Sequence, residues 1–158
     1  MSKRIRFRNM AEAERLAKRR LPRAVWLAVK AGNEQGWTLD ENIQAFNELG
    51  FSPTVFDRPT SIDTKTSLLG LDIDFPVVIS PVGAQAIHPD GEVGVARAAA
   101  RAGTAVGLSS WASDPVAEVA RANDKTIFQL YWVGTKAEIE ARVEAARAAG
   151  AKALIVTL

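Results

Sequence analysis

Pro76-Val-Val-Ile-Ser-Pro81-Val-Gly-Ala-Gln85 is the stretch whose reading decides the fold. Val77, Val78 and Ile79 are apolar and β-branched without alternation, the pattern of a buried strand covered on both faces, as in a parallel sheet. The strand is expected to run from Val77 to Ser80 and to stop at Pro81, which cannot donate to a ladder. Gly83 and Ala84 then remove side-chain bulk, so backbone N–H groups can approach a flat or anionic ligand, and Gln85 adds an amide. An ordinary exit from strand to loop would have the same composition.

Downstream of this strand the chain is rhythmic. A helix is expected over Asp90 to Ala102, closed by Gly103, and a strand over Thr104 to Leu108. A short helix opens at Asp114-Pro115, a cap residue with proline at the first helical position. Strand Thr126–Tyr131 follows, then a helix from Thr135 to Ala149 opened by the capping box Thr135-Lys-Ala-Glu138, then strand Ala153–Thr157. Alternating strands and helices with short connections require parallel strands and right-handed crossovers, in a doubly wound sheet or a (β/α) barrel. The last strand carries Leu154, Ile155 and Val156 and needs neighbours that the sequence to Leu158 does not supply. Four βα steps make half of an eight-stranded barrel, which typically takes about 250 residues. The expectation is an α/β fold, the N-terminal half of a (β/α)8 TIM barrel, with the chain a fragment of it.

Upstream, the pattern is that of a helical cap. Met10 to Arg19 reads as a helix broken by Leu21-Pro22, and Ala24 to Ala31 as a second with Val25, Leu27, Ala28 and Val29 inward and Gly32 as its stop. Thr38-Leu-Asp-Glu41 fits a capping box opening a helix to Leu49, ended by Gly50. Phe51 to Thr60 reads as an irregular connector. Ser67–Gly70 and Leu71–Phe75 read as a hairpin. The expected division is 1–75, cap and hairpin, and 76–158, the first four βα steps.

Composition narrows the chemistry. The 158 residues are 47% hydrophobic and 24% charged, a globular balance. No apolar run approaches the ~20 residues of a membrane span, and no secretory h-region is present, so no membrane partner is expected. The absence of cysteine excludes disulfides, thiol catalysis and zinc–thiolate sites and fits a cytoplasmic setting. The one histidine, His88, excludes a His-rich metal site, and no metal is expected. Net charge is +2, yet the first 30 residues hold ten Lys and Arg against Glu12 and Glu14. Without aromatic interleaving, that arm reads as a solvated helix face rather than a nucleic-acid surface.

On a barrel, the C-terminal strand ends build the site. Here they are Ser80–Gln85, then Ser109-Ser110-Trp111, then Gln129-Leu-Tyr131, then Thr157. Ser, Gln and Thr facing one cavity offer neutral donors and acceptors suited to the edge of a planar heterocycle, and Tyr131 a hydroxyl for a substrate. Plainer roles exist for each: Ser109 and Ser110 as helix caps, Gln129 satisfying loop backbone, Tyr131 and Trp132 as rim packing, Thr157 as interior filler. His88 reads as a residue that orders its loop rather than as a base. No Walker or dinucleotide glycine motif is present.

Leu21-Pro22, Gly36-Trp-Thr-Leu39 with Asn42 and Phe46, Ser80 to Gln85, His88-Pro-Asp-Gly-Glu92, Ala96-Arg-Ala-Ala99, Leu108-Ser-Ser-Trp-Ala112 and Phe128-Gln-Leu-Tyr131 resemble, in order, the FMN-dependent α-hydroxy-acid dehydrogenase/oxidase family. The resemblance implies FMN, with the backbone of Pro81, Val82, Gly83 and Ala84 against the flavin and the Gly83 N–H toward its N5. It implies that Ser109, Gln129 and Thr157 bond the isoalloxazine edge, that Tyr131 is the catalytic residue on the substrate side, and that Ala28 and Trp111 meet substrate. Members acting on hydroxy acids carry at the position of Ala28 a tyrosine that grips the substrate carboxylate, and often a polar residue at that of Val82. Lys18-Arg-Arg-Leu-Pro22, Asn47 to Pro53, Ser80-Pro-Val-Gly-Ala-Gln85 and Gln129-Leu-Tyr-Trp132 are most similar to the pre-mycofactocin synthase branch. That branch oxidatively deaminates a peptide-derived amino-pyrrolidinone, an uncharged amide that needs no carboxylate clamp. The resemblance places the family's catalytic His, substrate Arg, flavin N1 Lys and phosphate-binding strands beyond Leu158, so these residues alone are not expected to turn over. The alternatives are a lactate- or glycolate-type enzyme, or a non-catalytic half-barrel that pairs through exposed strand edges. Partners are expected to be a small-molecule substrate and further copies of the chain, with no nucleic acid.

Overall fold

The computed structural model describes residues 7–53, 55–56 and 59–158. The chain divides into two compact units, Met1–Arg58 and Pro59–Leu158.

The first unit holds three helices: α1 (Met10–Arg20), α2 (Arg23–Lys30) and α3 (Trp37–Asn47). Asn9 caps α1 by accepting the Glu12 N–H at 2.9 Å, and Glu12 reaches back to the Arg8 N–H at 3.0 Å. Leu21 is extended, as a residue before proline must be, so α1 ends there. Lys30 of α2 pairs with Glu14 of α1 at 3.0 Å. No helix of this unit has a buried residue, which corrects the inward assignment of α2: Val25 is half-buried, whereas Leu27, Ala28 and Val29 are exposed. The capping box at Thr38 does not form either. Gly36, left-handed at φ 79°, accepts the Asp40 N–H at 3.0 Å, so α3 starts at Trp37 and Thr38 falls inside its first turn. The helix ends at Asn47, before Leu49. Of the expected connector Phe51–Thr60, the described residues have no regular structure, and Thr54, Asp57 and Arg58 lie outside the described residues, as do the first six residues of the basic arm.

The second unit opens with the hairpin, β1 (Thr66–Leu68) against β2 (Leu71–Ile73). Leu69 and Gly70, at φ 51° and 76°, are both left-handed, the two-residue turn whose twist matches paired strands. The parallel sheet has the order β3 (Val106–Ser109), β4 (Thr126–Tyr131), β5 (Ala153–Thr157), with α4 (Gly91–Arg101) before β3, and α5 (Val116–Ala122) and α6 (Lys136–Ala148) in the two crossovers. β4 and β5 fall where the sequence places them, and α6 opens with the expected box, the Thr135 and Glu138 side chains each accepting the other's backbone N–H.

Val77–Ser80 is a correction. Only Ile79 bridges to Val106, its N–H donating to Ala105 at 3.2 Å and its carbonyl accepting from Gly107 at 2.8 Å. Pro76 and Pro81 have no N–H, and Val77 spends its own locally on Phe75 at 2.8 Å, so one pair of bonds remains. Nor is the segment buried: Val77 is exposed, and Val78 and Ile79 are half-buried. It still holds the place of a first strand, and the order Ile79, β3, β4, β5 follows the chain without reversal.

Strand residues alternate between two faces. Ile79, Val106, Leu108, Phe128 and Leu130 pack with Ala96, Ala99, Val119, Ile139 and Ala146 of the three helices. The helices thus share one face of the sheet, as in a barrel wall, whereas a doubly wound sheet has helices on both. On the other face Ala105 and Ile127 meet Ile73 of the hairpin, with Val78 and Ala153 alongside. Asp74 donates to the Gly103 carbonyl at 2.9 Å, so the hairpin closes this face at the N-terminal strand ends. The C-terminal ends of the same face carry the polar residues.

Candidate cofactor site at the C-terminal strand ends

Parallel pairing sets Ser109 beside Gln129 and Tyr131 beside Thr157. Side chains on a strand alternate, so Ser109, Gln129, Tyr131 and Thr157 all project on the face away from the helices. The Gln129 side chain donates from Nε2 to the Thr157 hydroxyl at 2.9 Å. Its Oε1 is buried and has no hydrogen-bond partner among the described residues. Ser109, 5% exposed, accepts the Trp111 N–H at 3.1 Å, which turns the chain sharply after β3. Trp111 then stacks on Tyr131 with ring centroids 4.5 Å apart and planes 28° from parallel.

The loop after Ile79 lies over this end of the sheet. A Cβ on Gly107 would stand 2.7 Å from Pro81 Cδ, so glycine in mid-strand is what lets the proline ring in. A Cβ on Gly83 would come within 3.2 Å of the Trp111 carbonyl, and Ala84, left-handed at φ 54°, donates to that carbonyl at 3.3 Å. Val82 is exposed, and its carbonyl accepts the Gln85 amide at 3.0 Å. Gln85 thus serves its own loop, whereas the Gly83 N–H has no protein acceptor among the described residues. His88 orders its loop as expected, accepting the Asp90 N–H at 3.1 Å. The structure therefore gathers Pro81, Gly83, Ala84, Ser109, Trp111, Gln129, Tyr131 and Thr157 at one end of the sheet. Ala28 stands on α2 of the first unit.

Sequence reading missed the groups that hold the loops. Asp114 does not cap α5, whose N-cap is Pro115 without a side-chain bond. Its carboxylate instead accepts the Val93 N–H of α4 at 2.9 Å. Glu92, 2% exposed, accepts from Gln85 at 3.1 Å, Ser113 at 3.0 Å and Asp114 at 3.2 Å. Burial works against its charge, but these N–H donors and its own outweigh that and hold its carboxyl below the ordinary glutamate range. An acidic residue in a first helical turn reads as solvated from sequence, and nothing local marks this one as buried.

The unpartnered buried Gln129 carbonyl oxygen, the hydroxyls of Ser109 and Thr157 on the same face, a free glycine N–H and an aromatic wall form a neutral site. Its donor and acceptor set fits the amide edge of a flavin ring. The strand order and the helices on a single face are those of part of a (β/α) barrel wall.

Residues 17–158 match the model of the FMN-dependent dehydrogenase family, and the chain belongs to that family, whose cofactor is FMN. It is 50% identical over 157 residues to pre-mycofactocin synthase of Mycolicibacterium smegmatis, covering 99% of this chain and 39% of that protein. It is 40% identical over 152 residues to glycolate oxidase 1 of Zea mays, covering 95% of this chain and 41% of that protein. Among solved structures it superposes on a lactate oxidase of Pediococcus acidilactici with a TM-score of 0.89 at 29% identity, over 98% of this chain and 44% of that one. The chain thus spans about two fifths of the length of the curated relatives it matches. Among the described residues no helix is long and apolar enough to cross a membrane.

Proposed function

We propose that the protein carrying this chain is an FMN-dependent oxidoreductase that oxidatively deaminates a peptide-derived amino-pyrrolidinone in mycofactocin biosynthesis. The buried, unpartnered Gln129 Oε1 beside Thr157 is the observation that carries the cofactor assignment. Ser109, Gln129 and Thr157 would hold the polar edge of the ring, and the backbone of Pro81, Val82, Gly83 and Ala84 would hold its plane. FMN supplies a two-electron acceptor. Tyr131 and Trp111 form the substrate side, the Tyr131 hydroxyl orienting the reacting carbon and the Trp111 ring excluding water. The substrate C–H bond breaks, its electron pair would pass to FMN as the two-electron acceptor, and loss of one N–H proton leaves the amine carbon as an imine. Water then displaces ammonia and leaves an α-keto amide.

Two features support this substrate over a 2-hydroxy acid. Identity to the pre-mycofactocin synthase is 50%, against 40% to the glycolate oxidase. Ala28 also stands where a tyrosine would grip a substrate carboxylate, and an amide needs no such grip. Likeness to glycolate and lactate oxidases supports the hydroxy-acid reading as the second choice. In this reading residues 1–75 form the cap and hairpin, and 76–158 the first four βα steps of the barrel, in a cytoplasmic homo-oligomer. The test is anaerobic bleaching of the flavin in the full-length gene product. Bleaching by the amino-pyrrolidinone with release of one ammonia, and none by lactate or glycolate, is expected. The reverse pattern would move the protein to the hydroxy-acid oxidases.

A further inference from the structure

Two loops border the proposed flavin face: Pro81–Gln85, which runs into the short 3-10 turn Gln85–Ile87, and Ser109–Asp114, which starts at the last residue of β3. Both converge on one side chain of α4. Glu92 Oε1 accepts the N–H of Gln85 from the first loop and of Ser113 from the second, and Oε2 accepts that of Asp114. Two further bonds run directly between the loops or their continuations: Ala84 N–H to the Trp111 carbonyl, and Ala86 N–H to the Ser113 hydroxyl at 3.4 Å. Asp114 closes the circuit by accepting from Val93, the residue after Glu92. The carboxylate has no Lys or Arg partner among the described residues. Three backbone N–H groups from two loops satisfy it instead, and a group that accepts only is what such a convergence requires.

We propose that Glu92 is a positioning residue for the cofactor: its buried carboxylate ties the Pro81–Gln85 loop to the Ser109–Asp114 loop before FMN binds, so that the Gly83 backbone and the Ser109–Trp111 turn face the ring already in register. This rests on the FMN reading above. Without the tie, ordering both loops would be charged to FMN binding, and affinity would fall accordingly.

The test uses the full-length gene product in three measurements. In the wild-type protein freed of FMN, the amides of Gln85, Ser113 and Asp114 are expected to exchange about 100-fold or more slowly than unstructured amides. Glu92→Gln keeps the shape but puts an NH2 group against backbone donors. It is expected to weaken FMN binding about tenfold or more and to alter the visible circular dichroism of the bound flavin. Glu92→Asp, which is too short to reach both loops, should not rescue either. Free exchange of Gln85 before FMN is added, with protection only afterwards, would overturn the inference. So would a Glu92→Gln protein with lowered thermal stability but unchanged FMN affinity and flavin dichroism, which makes Glu92 a brace of the fold alone. If Glu92→Gln does not fold, the wild-type exchange measurement decides. A wild-type protein that takes up no FMN would overturn the cofactor reading, and this inference with it.

Discussion

Glu92 and Asp114 cap each other's chain segments: the Glu92 carboxylate accepts the Asp114 N–H at 3.2 Å, and the Asp114 carboxylate accepts the N–H of Val93 at 2.9 Å. The two residues are 22 positions apart and belong to successive βα steps. Each step's loop is thus held by the neighbouring step, and the site is built across the sheet rather than within one unit of the repeat.

Gly91 is the steric condition of this exchange. It is left-handed at φ 47°, and a Cβ there would lie 2.6 Å from Asp114 Oδ2. Gly91→Ala is expected to lower stability by about 2 kcal/mol, from backbone strain and the displaced cap together. Urea unfolding checks it, with Gly50→Ala, which meets nothing nearby, as the control.

Acid should loosen the site through Glu92. Its folded carboxyl titrates below the ordinary range, because backbone N–H groups outweigh the opposing effect of burial. A group lowered on folding contributes stability that is fully present above its unfolded pKa and is lost as pH falls through the folded one. The stability gap between wild type and Glu92→Gln is therefore expected to be widest near neutral pH and to shrink as pH drops below the ordinary glutamate value. Denaturant midpoints across a pH series measure it.

Gln129 sets stability against binding. Its Oε1 is buried without a partner, so an apolar side chain of similar length removes an unmet polar group, which offsets the loss of the Nε2 bond to the Thr157 hydroxyl. Gln129→Met is expected to leave the melting temperature of the FMN-free protein unchanged or raised, while FMN binding weakens about tenfold, or about 1.4 kcal/mol. Equal affinity would remove Gln129 from the cofactor edge.

The Thr135–Glu138 box lies on the surface at the start of α6. Thr135→Ala is expected to cost about 1 kcal/mol, with no effect on FMN affinity. Paired unfolding and flavin titrations separate the two.

How much was legible in the sequence follows the range of the forces involved. β4, β5 and the α6 box are local patterns, apolar runs bounded by turns and a cap three residues from its partner, and they form where they are read. The box at Thr38 has the same letters, yet Gly36 takes the cap position with its carbonyl and a left-handed φ. Val77–Ser80 has the composition of a strand, but the prolines on either side leave Ile79 alone to pair. Asp114-Pro115 reads as a cap for α5, but the carboxylate turns to α4, whose open N–H groups lie within reach only after folding.

By itself the sequence determined the alternation of strands and helices, the polar residues at the strand ends, and the family through motifs kept in order. Those are properties of neighbouring residues, set by periodicity, backbone freedom and side-chain chemistry. Only the tertiary structure decided that the three helices share one face, that Gln129 Oε1 is buried without a partner, and that Glu92 gathers two loops. Each depends on contacts between residues far apart in the chain. An amide oxygen or a carboxylate acquires its energetic meaning only when folding removes its water and brings it donors, or brings none.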